Sequence, residues 1–142
     1  MQPLPFAVFL VSTMILVAAD RKRESINLSK VPPGPYSLAV YARDVMHVSG
    51  LHVSNISHLT FGQETRLILN NMKQLLESRQ LTLGHVAKTT VFLTNWDNYD
   101  EMNKIYREYF TEKFPARSAL QVVRLPRRSR VAIEAVAVRS EL

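Results

Sequence analysis

Apolar positions are distributed along this chain in three ways: one nearly unbroken run close to the start, short runs rich in β-formers, and stripes at helical spacing. The short runs at residues 36–41 and 45–48 predict two strands, with Arg43 and Asp44 as a hairpin turn between them. Thr60 and Gln63 have the spacing of a capping box, in which the hydroxyl takes the Gln63 N–H and the amide reaches back. The helix it opens carries Ile68, Met72, Leu75 and Leu76 on one stripe, which reads as core. After an exit loop at residues 81–84, the run at 86–94 contains Val91, Phe92 and Leu93 in succession, as suits a strand buried on both faces.

Asn95 and Asp97 are candidate caps for a second helix. In that helix Tyr99, Met102, Tyr106, Tyr109 and Phe110 recur at helical spacing and would pack it onto a sheet. Pro115 ends it, because the residue before proline resists helical geometry. Residues 118–123 and 131–138 predict two closing strands, and the alanines of the second leave room for helices to come close. Strands interleaved with two helices imply an α+β layer, with the helices on one face of a mixed sheet.

The first run, residues 6–19, is broken only by Ser12 and Thr13 and falls short of the ~20 residues that span a bilayer, so no stable membrane span is expected. It suits the apolar core of a signal peptide, with Val17, Ala18 and Ala19 supplying small residues for cleavage. Against this, residues 1–5 carry no Lys or Arg, while Arg21, Lys22 and Arg23 follow the cleavage point. Export, an uncleaved tail and an organelle-targeting segment stay open. The chain is therefore divided into an N-terminal segment, 1–20, and a domain, 21–142. Asn27-Leu28-Ser29 and Asn55-Ile56-Ser57 are glycosylation sequons that matter only on the secretory route.

Length and composition bound the chemistry. A chain of 142 residues with 46% hydrophobic content fits one ordinary domain with a real core. The absence of cysteine excludes disulfides, thiolate nucleophiles and cysteine-held metals. The net charge of +6 suits anionic partners, and part of it is local to Arg124, Arg127, Arg128 and Arg130, which also read simply as a solvated basic face. No GxSxG, P-loop or GxGxxG is present. His47, His52, His58 and His85 form no HExxH, so no metal is assigned.

Two polar residues stand out. Glu134 is a lone carboxylate inside an apolar strand. It must be paired, protonated or turned toward a polar pocket, unless that strand lies at a sheet edge and the side chain faces solvent. Arg117 follows a rigid proline, and its planar fork matches a carboxylate with two parallel hydrogen bonds. From its position alone it reads more readily as a surface arginine.

Four stretches together carry a resemblance to a known family. They are Gly34-Pro35-Tyr36-Ser37, Val48-Ser49-Gly50, the strand at 86–93, and Phe114-Pro115-Ala116-Arg117-Ser118 followed by Arg124-Leu125-Pro126 and Ile133-Glu134-Ala135-Val136-Ala137. In order and spacing, residues 31–139 resemble the RidA/YjgF family along its full catalytic domain. The resemblance implies a chorismate-mutase-like fold, a mixed sheet with two helices on one face, assembled as a homotrimer with sites between subunits. It implies cofactor-free hydrolysis of 2-iminobutanoate and 2-iminopropanoate to 2-keto acids and ammonia, and a cytoplasmic or mitochondrial setting. It places Arg117 on the substrate carboxylate and Glu134 in the same pocket as general base. Backbone N–H groups of Gly50 and Ala119 would assist, with Tyr36, Ser49 and Asn103 lining the pocket. RNA is a second partner class, since some family members are described as endoribonucleases or translation inhibitors. A non-catalytic ligand-binding trimer is a third reading. The chain departs from the family pattern at Leu51, where glutamine is usual, and in the loop that follows. Both changes bear on substrate preference and subunit packing.

Overall fold

The computed structural model describes residues 23–28 and 32–139; the N-terminal run, the Arg21-Lys22 pair and Ser29 of the first sequon lie outside them. Six strands form one sheet in the order β1-β2-β3-β6-β4-β5. They are β1 (Glu24–Ile26), β2 (Ala39–Ala42), β3 (Val45–Leu51), β4 (Val86–Leu93), β5 (Ala116–Gln121) and β6 (Val131–Val138). The helices are α1 (Phe61–Glu77) and α2 (Tyr99–Tyr109). Every ladder is antiparallel except β4 with β5, which α2 joins as a parallel crossover.

Local chemistry sets most boundaries. Ala42 pairs with Val45, so Arg43 and Asp44 are the two-residue turn, and Arg43 takes φ 55° where glycine is absent. The capping box is formed: Gln63 N donates to Thr60 Oγ1 at 3.1 Å and Thr60 N donates to Gln63 Oε1 at 2.9 Å. Asn95 caps a single 3-10 turn (Trp96–Asn98) by accepting from Asp97 N, rather than capping α2. Asp97 lies inside that turn, and α2 starts directly from it at Tyr99. The strand expected at 118–123 begins earlier, at Ala116, because the β4 ladder already pairs Lys88 with Ala116. Strand β1 had no sequence signal. Three residues are too few to show a period, and pairing with β2 creates the strand.

Both helices cover one face of the sheet. Ile68, Leu69, Met72, Leu75 and Leu76 of α1 and Met102, Ile105 and Tyr106 of α2 meet Met46, Val48, Val91, Leu93, Ile133, Ala135 and Ala137 of the strands. Gly62 allows the helices this proximity. A methyl there would lie 2.9 Å from Glu101 Oε1 and 3.3 Å from Ile105 Cδ1. Among the described residues, no layer covers the other face. It presents Val40, His47, Lys88, Thr90, Phe92, Leu120, Val136 and Val138. β4 is thus not buried on both sides: Val91 and Leu93 are buried, while Phe92 between them is half-buried on the open face. An antiparallel sheet with one wet face ordinarily turns polar residues outward. Here Leu120 and Val138 stand 42% and 39% exposed on a largely apolar face. Among the described residues, no helix is long and apolar enough to cross a membrane.

Candidate functional site

Strand β6 lies between β3 and β4, so Glu134 is not on an edge. Its side chain projects from the open face, half-buried, opposite Thr90 on one side. On the other side the ladder slips: Val48 pairs with Ala135 and Leu51 with Ile133. Ser49 and Gly50 therefore share one partner position, that of Glu134, and form a β-bulge. Bulges concentrate beside functional sites because they re-aim backbone and side chains. This one is tied to the segment before β2 by Ser49 Oγ donating to Ser37 O at 2.7 Å and Ser49 N donating to Leu38 O at 2.9 Å. Nothing lies within 4 Å of where a side chain on Gly50 would begin, so its backbone is open to a ligand.

Beside the bulge is an open cleft of about 490 Å³. Pro33, Tyr36, Phe92, Leu125 and Ala132 supply apolar walls; Ser49, Gly50, His52 and Arg127 supply polar groups. A mostly apolar cleft with few polar groups is the usual form of a small-molecule site. Ala132 is two residues from Glu134 on the same face of β6, which puts the carboxylate next to this cleft. His52 Nδ1 lies 3.2 Å from Gly50 O. A carbonyl only accepts, so Nδ1 carries the proton and the ring is held against the bulge.

Arg117 is elsewhere. It pairs with Thr89, and so points to the helix side of edge strand β5. Its guanidinium carbon sits 4.8 Å from the Tyr106 ring centroid and 5.9 Å from that of Tyr99. Nη2 reaches Tyr99 OH at 3.5 Å and Nη1 reaches Met102 Sδ at 3.9 Å, both weak contacts. Burial raises the Tyr106 phenol above its ordinary value, against a hydrogen bond from Thr89 and the charge of Arg117. Tyr106 thus remains a neutral π face for the cation. Thr89 Oγ1 and Tyr106 OH are 2.8 Å apart. Asn103 lies half-buried on the same stripe of α2, one turn from Tyr99 and from Tyr106, and Ala119 follows Arg117 on the same face of β5.

The seven residues singled out from the sequence therefore divide. Tyr36, Ser49, Gly50 and Glu134 gather at the open face; Arg117, Asn103 and Ala119 gather on the helix side, at the β5 edge. Arg117 and Glu134, expected to share a pocket between subunits, stand apart within one chain. They pair with Thr89 and Thr90, adjacent residues of β4, and adjacent residues of a strand face opposite ways. Neither has an ionic partner among the described residues.

Three features escaped the sequence reading. His52 was weighed only as a metal ligand, and Arg127 only as part of a basic surface. Glu64 was overlooked, although it extends the Ile68–Met72–Leu75 stripe by one turn. It is fully buried and accepts from Ser129 Oγ at 2.7 Å, Arg130 N at 2.8 Å and Arg130 Nε at 2.7 Å. Arg130 also donates to Leu59 O. It is therefore a structural cation, not a member of the solvated cluster, and it anchors the loop that carries Arg127.

Comparison with known proteins agrees with this fold. Residues 28–139 match the family model described as Endoribonuclease L-PSP. Over 127 residues the chain is 37% identical to the 2-iminobutanoate/2-iminopropanoate deaminase of Homo sapiens, covering 84% of this chain and 93% of that one. Among solved structures, the YjgF gene product of E. coli is similar with a TM-score of 0.75 at 32% identity, covering 82% of this chain and 99% of that one. E. coli TdcF, solved with bound serine, is similar with a TM-score of 0.73 at 31% identity, over the same shares.

Proposed function

Because the chain belongs to the Endoribonuclease L-PSP (RidA/YjgF) family, we propose that it hydrolyses reactive 2-imino acids at sites formed between the subunits of a homotrimer. The observation that carries this reading is the split of the site. A half-buried guanidinium and a half-buried carboxylate lie on opposite faces of one sheet, each without an ionic partner among the described residues. Groups so placed are costly to leave idle. An apolar open face supplies the surface on which a second copy would bring its β5 edge to the first copy's bulge. The deaminase name of the human relative and the serine bound by TdcF support a small amino-acid-like ligand.

In this arrangement one subunit gives Arg117, which grips the substrate carboxylate bidentately, with the Ala119 N–H beside it. Its neighbour gives the Gly50 N–H, the Tyr36 and Ser49 walls and Glu134. Glu134 orients a water and takes its proton as the oxygen adds to C2 of the imine. The C=N bond becomes a tetrahedral carbinolamine, the proton passes to nitrogen, ammonia leaves and the carbonyl forms. General-base help of this kind is typically worth ~10²- to 10⁴-fold, and positioning supplies more.

The direct test couples an amino-acid dehydratase, as imine source, to keto-acid release. Arg117→Ala is expected to remove the protein-dependent rate while leaving the folded mass unchanged. Equal rates for wild type and variant would eliminate Arg117 from the mechanism. The RNA-directed alternative is favoured by one observation, the exposed Arg124, Arg127 and Arg128 on a single loop. It requires binding to RNA that weakens steeply with salt. A non-catalytic trimer would bind 2-keto acids without turnover.

A further inference from the structure

We infer that the cleft is selective for a 2-imino acid whose side chain ends in a second carboxylate, and that Arg127 receives it. The inference rests on the imine-hydrolase reading for the reaction but on separate residues for the selectivity.

The first argument is size. Clefts for whole drug-sized ligands run from about 300 to about 1,000 Å³. At about 490 Å³ on the single chain, this open cleft has room beyond a four-carbon imino acid. The second is the state of Arg127. Of the arginines around this loop, Arg130 is consumed by Glu64. Arg127 lines the cleft, is exposed, and meets no carboxylate among the described residues.

The third argument is how the loop is held. Pro126 fixes the entry to the 3-10 turn (Pro126–Arg128), and Glu64 clamps Ser129 and Arg130 just beyond it. Between these anchors Arg127 takes φ 54°, ψ 26° and Arg128 takes φ 60°. Two successive left-handed residues, neither of them glycine, are strained, and strain of this kind persists where the surroundings over-determine it, as at ligand clamps. The backbone that carries the cation is thus a strained turn held at both ends. Tyr36, Ser49 and His52 line the same cleft as polar groups among apolar walls. A substrate gripped at its α-carboxylate by the neighbour's Arg117 would extend a side-chain carboxylate toward Arg127, which matches it as a planar fork.

The test uses the full chain and two stable keto-acid products, 2-oxobutanoate and 2-oxoglutarate, titrated calorimetrically, alongside turnover of the corresponding imines. Wild type is expected to bind 2-oxoglutarate about tenfold tighter than 2-oxobutanoate. Arg127→Ala should lose that preference, with the greater loss falling on 2-oxoglutarate, and Arg127→Lys should restore part of it. Equal affinities in wild type, or an Arg127→Ala loss shared equally by both acids, overturns the inference. Imine turnover without the preference sinks the selectivity alone. The preference without turnover keeps the selectivity and sinks the hydrolase reading.

Discussion

The separation of Arg117 from Glu134 can be tested by making two dead proteins cooperate. Their strands, β5 and β6, are two ladder spacings apart with β4 between them, about 10 Å laterally, and the side chains leave the sheet in opposite directions. No imino acid of a few heavy atoms bridges that within one chain. Arg117→Ala and Glu134→Gln should each be nearly inactive alone. Co-expressed in equal amounts with two different tags, they should assemble at random. Each interface then draws its arginine from one subunit and its glutamate from the neighbour. An intact arginine is present half the time and an intact glutamate independently half the time, so about a quarter of sites are wild type. Tandem purification discards trimers of a single variant, and every mixed trimer holds one repaired site in three, so the purified mixture should recover about a third of wild-type keto-acid release. A mixed oligomer of verified composition that stays as inactive as its parents would refute the intersubunit site, because a site within one chain cannot be repaired by a neighbour.

Other consequences are independent of that experiment. Glu64→Gln keeps the shape but removes the charge that Ser129 and Arg130 serve; with Arg130 one-third exposed, the cost is about 2 kcal/mol, read as a Tm lower by roughly 6 °C at equal protein concentration. Val136→Lys puts a charge in the middle of the open face without touching the helix-side core, and light scattering should report a lower oligomer mass with the circular-dichroism spectrum retained. Tyr106 is a neutral phenol favoured by burial, so its folded pKa lies above its unfolded value. The stability it contributes is full below about pH 10 and is lost as pH rises through the folded value. Urea midpoints of wild type should therefore fall more steeply between about pH 9.5 and pH 11 than those of Tyr106→Phe, and parallel slopes would contradict this.

How much of this was legible beforehand depends on the range of the interaction involved. Thr60 and Gln63 announced their helix because both halves of a capping box lie within one turn. The Ile68–Met72–Leu75 stripe announced a core because helical spacing is local. Strand β1 is three residues held only by β2, and the start of β5 at Ala116 is decided by its ladder with β4, so neither boundary has a local signature. Glu64 lay in plain view as a carboxylate on an apolar stripe. Its partners are 65 and 66 residues away, and without them a buried charge looks like an ordinary first-turn glutamate complementing the helix dipole.

The site shows the same limit in sharper form. Motif resemblance identified Arg117, Glu134, Ser49 and Gly50 as residues, but a motif has no face. Which side of a sheet a residue occupies depends on register, and register is fixed by which strands pair and where a bulge intervenes. The slip at Ser49 and Gly50 turns two residues toward Glu134 where an even ladder would turn one. The odd-even relation of Thr89 and Thr90 then sends Arg117 to the far side. The pocket expected to join these groups between subunits is therefore not one that a single chain forms from its own residues. If they act together, the missing coordinate is the position of a second copy. This is why the apolar residues of the open face around Glu134 bear as directly on function as the arginine and the glutamate do.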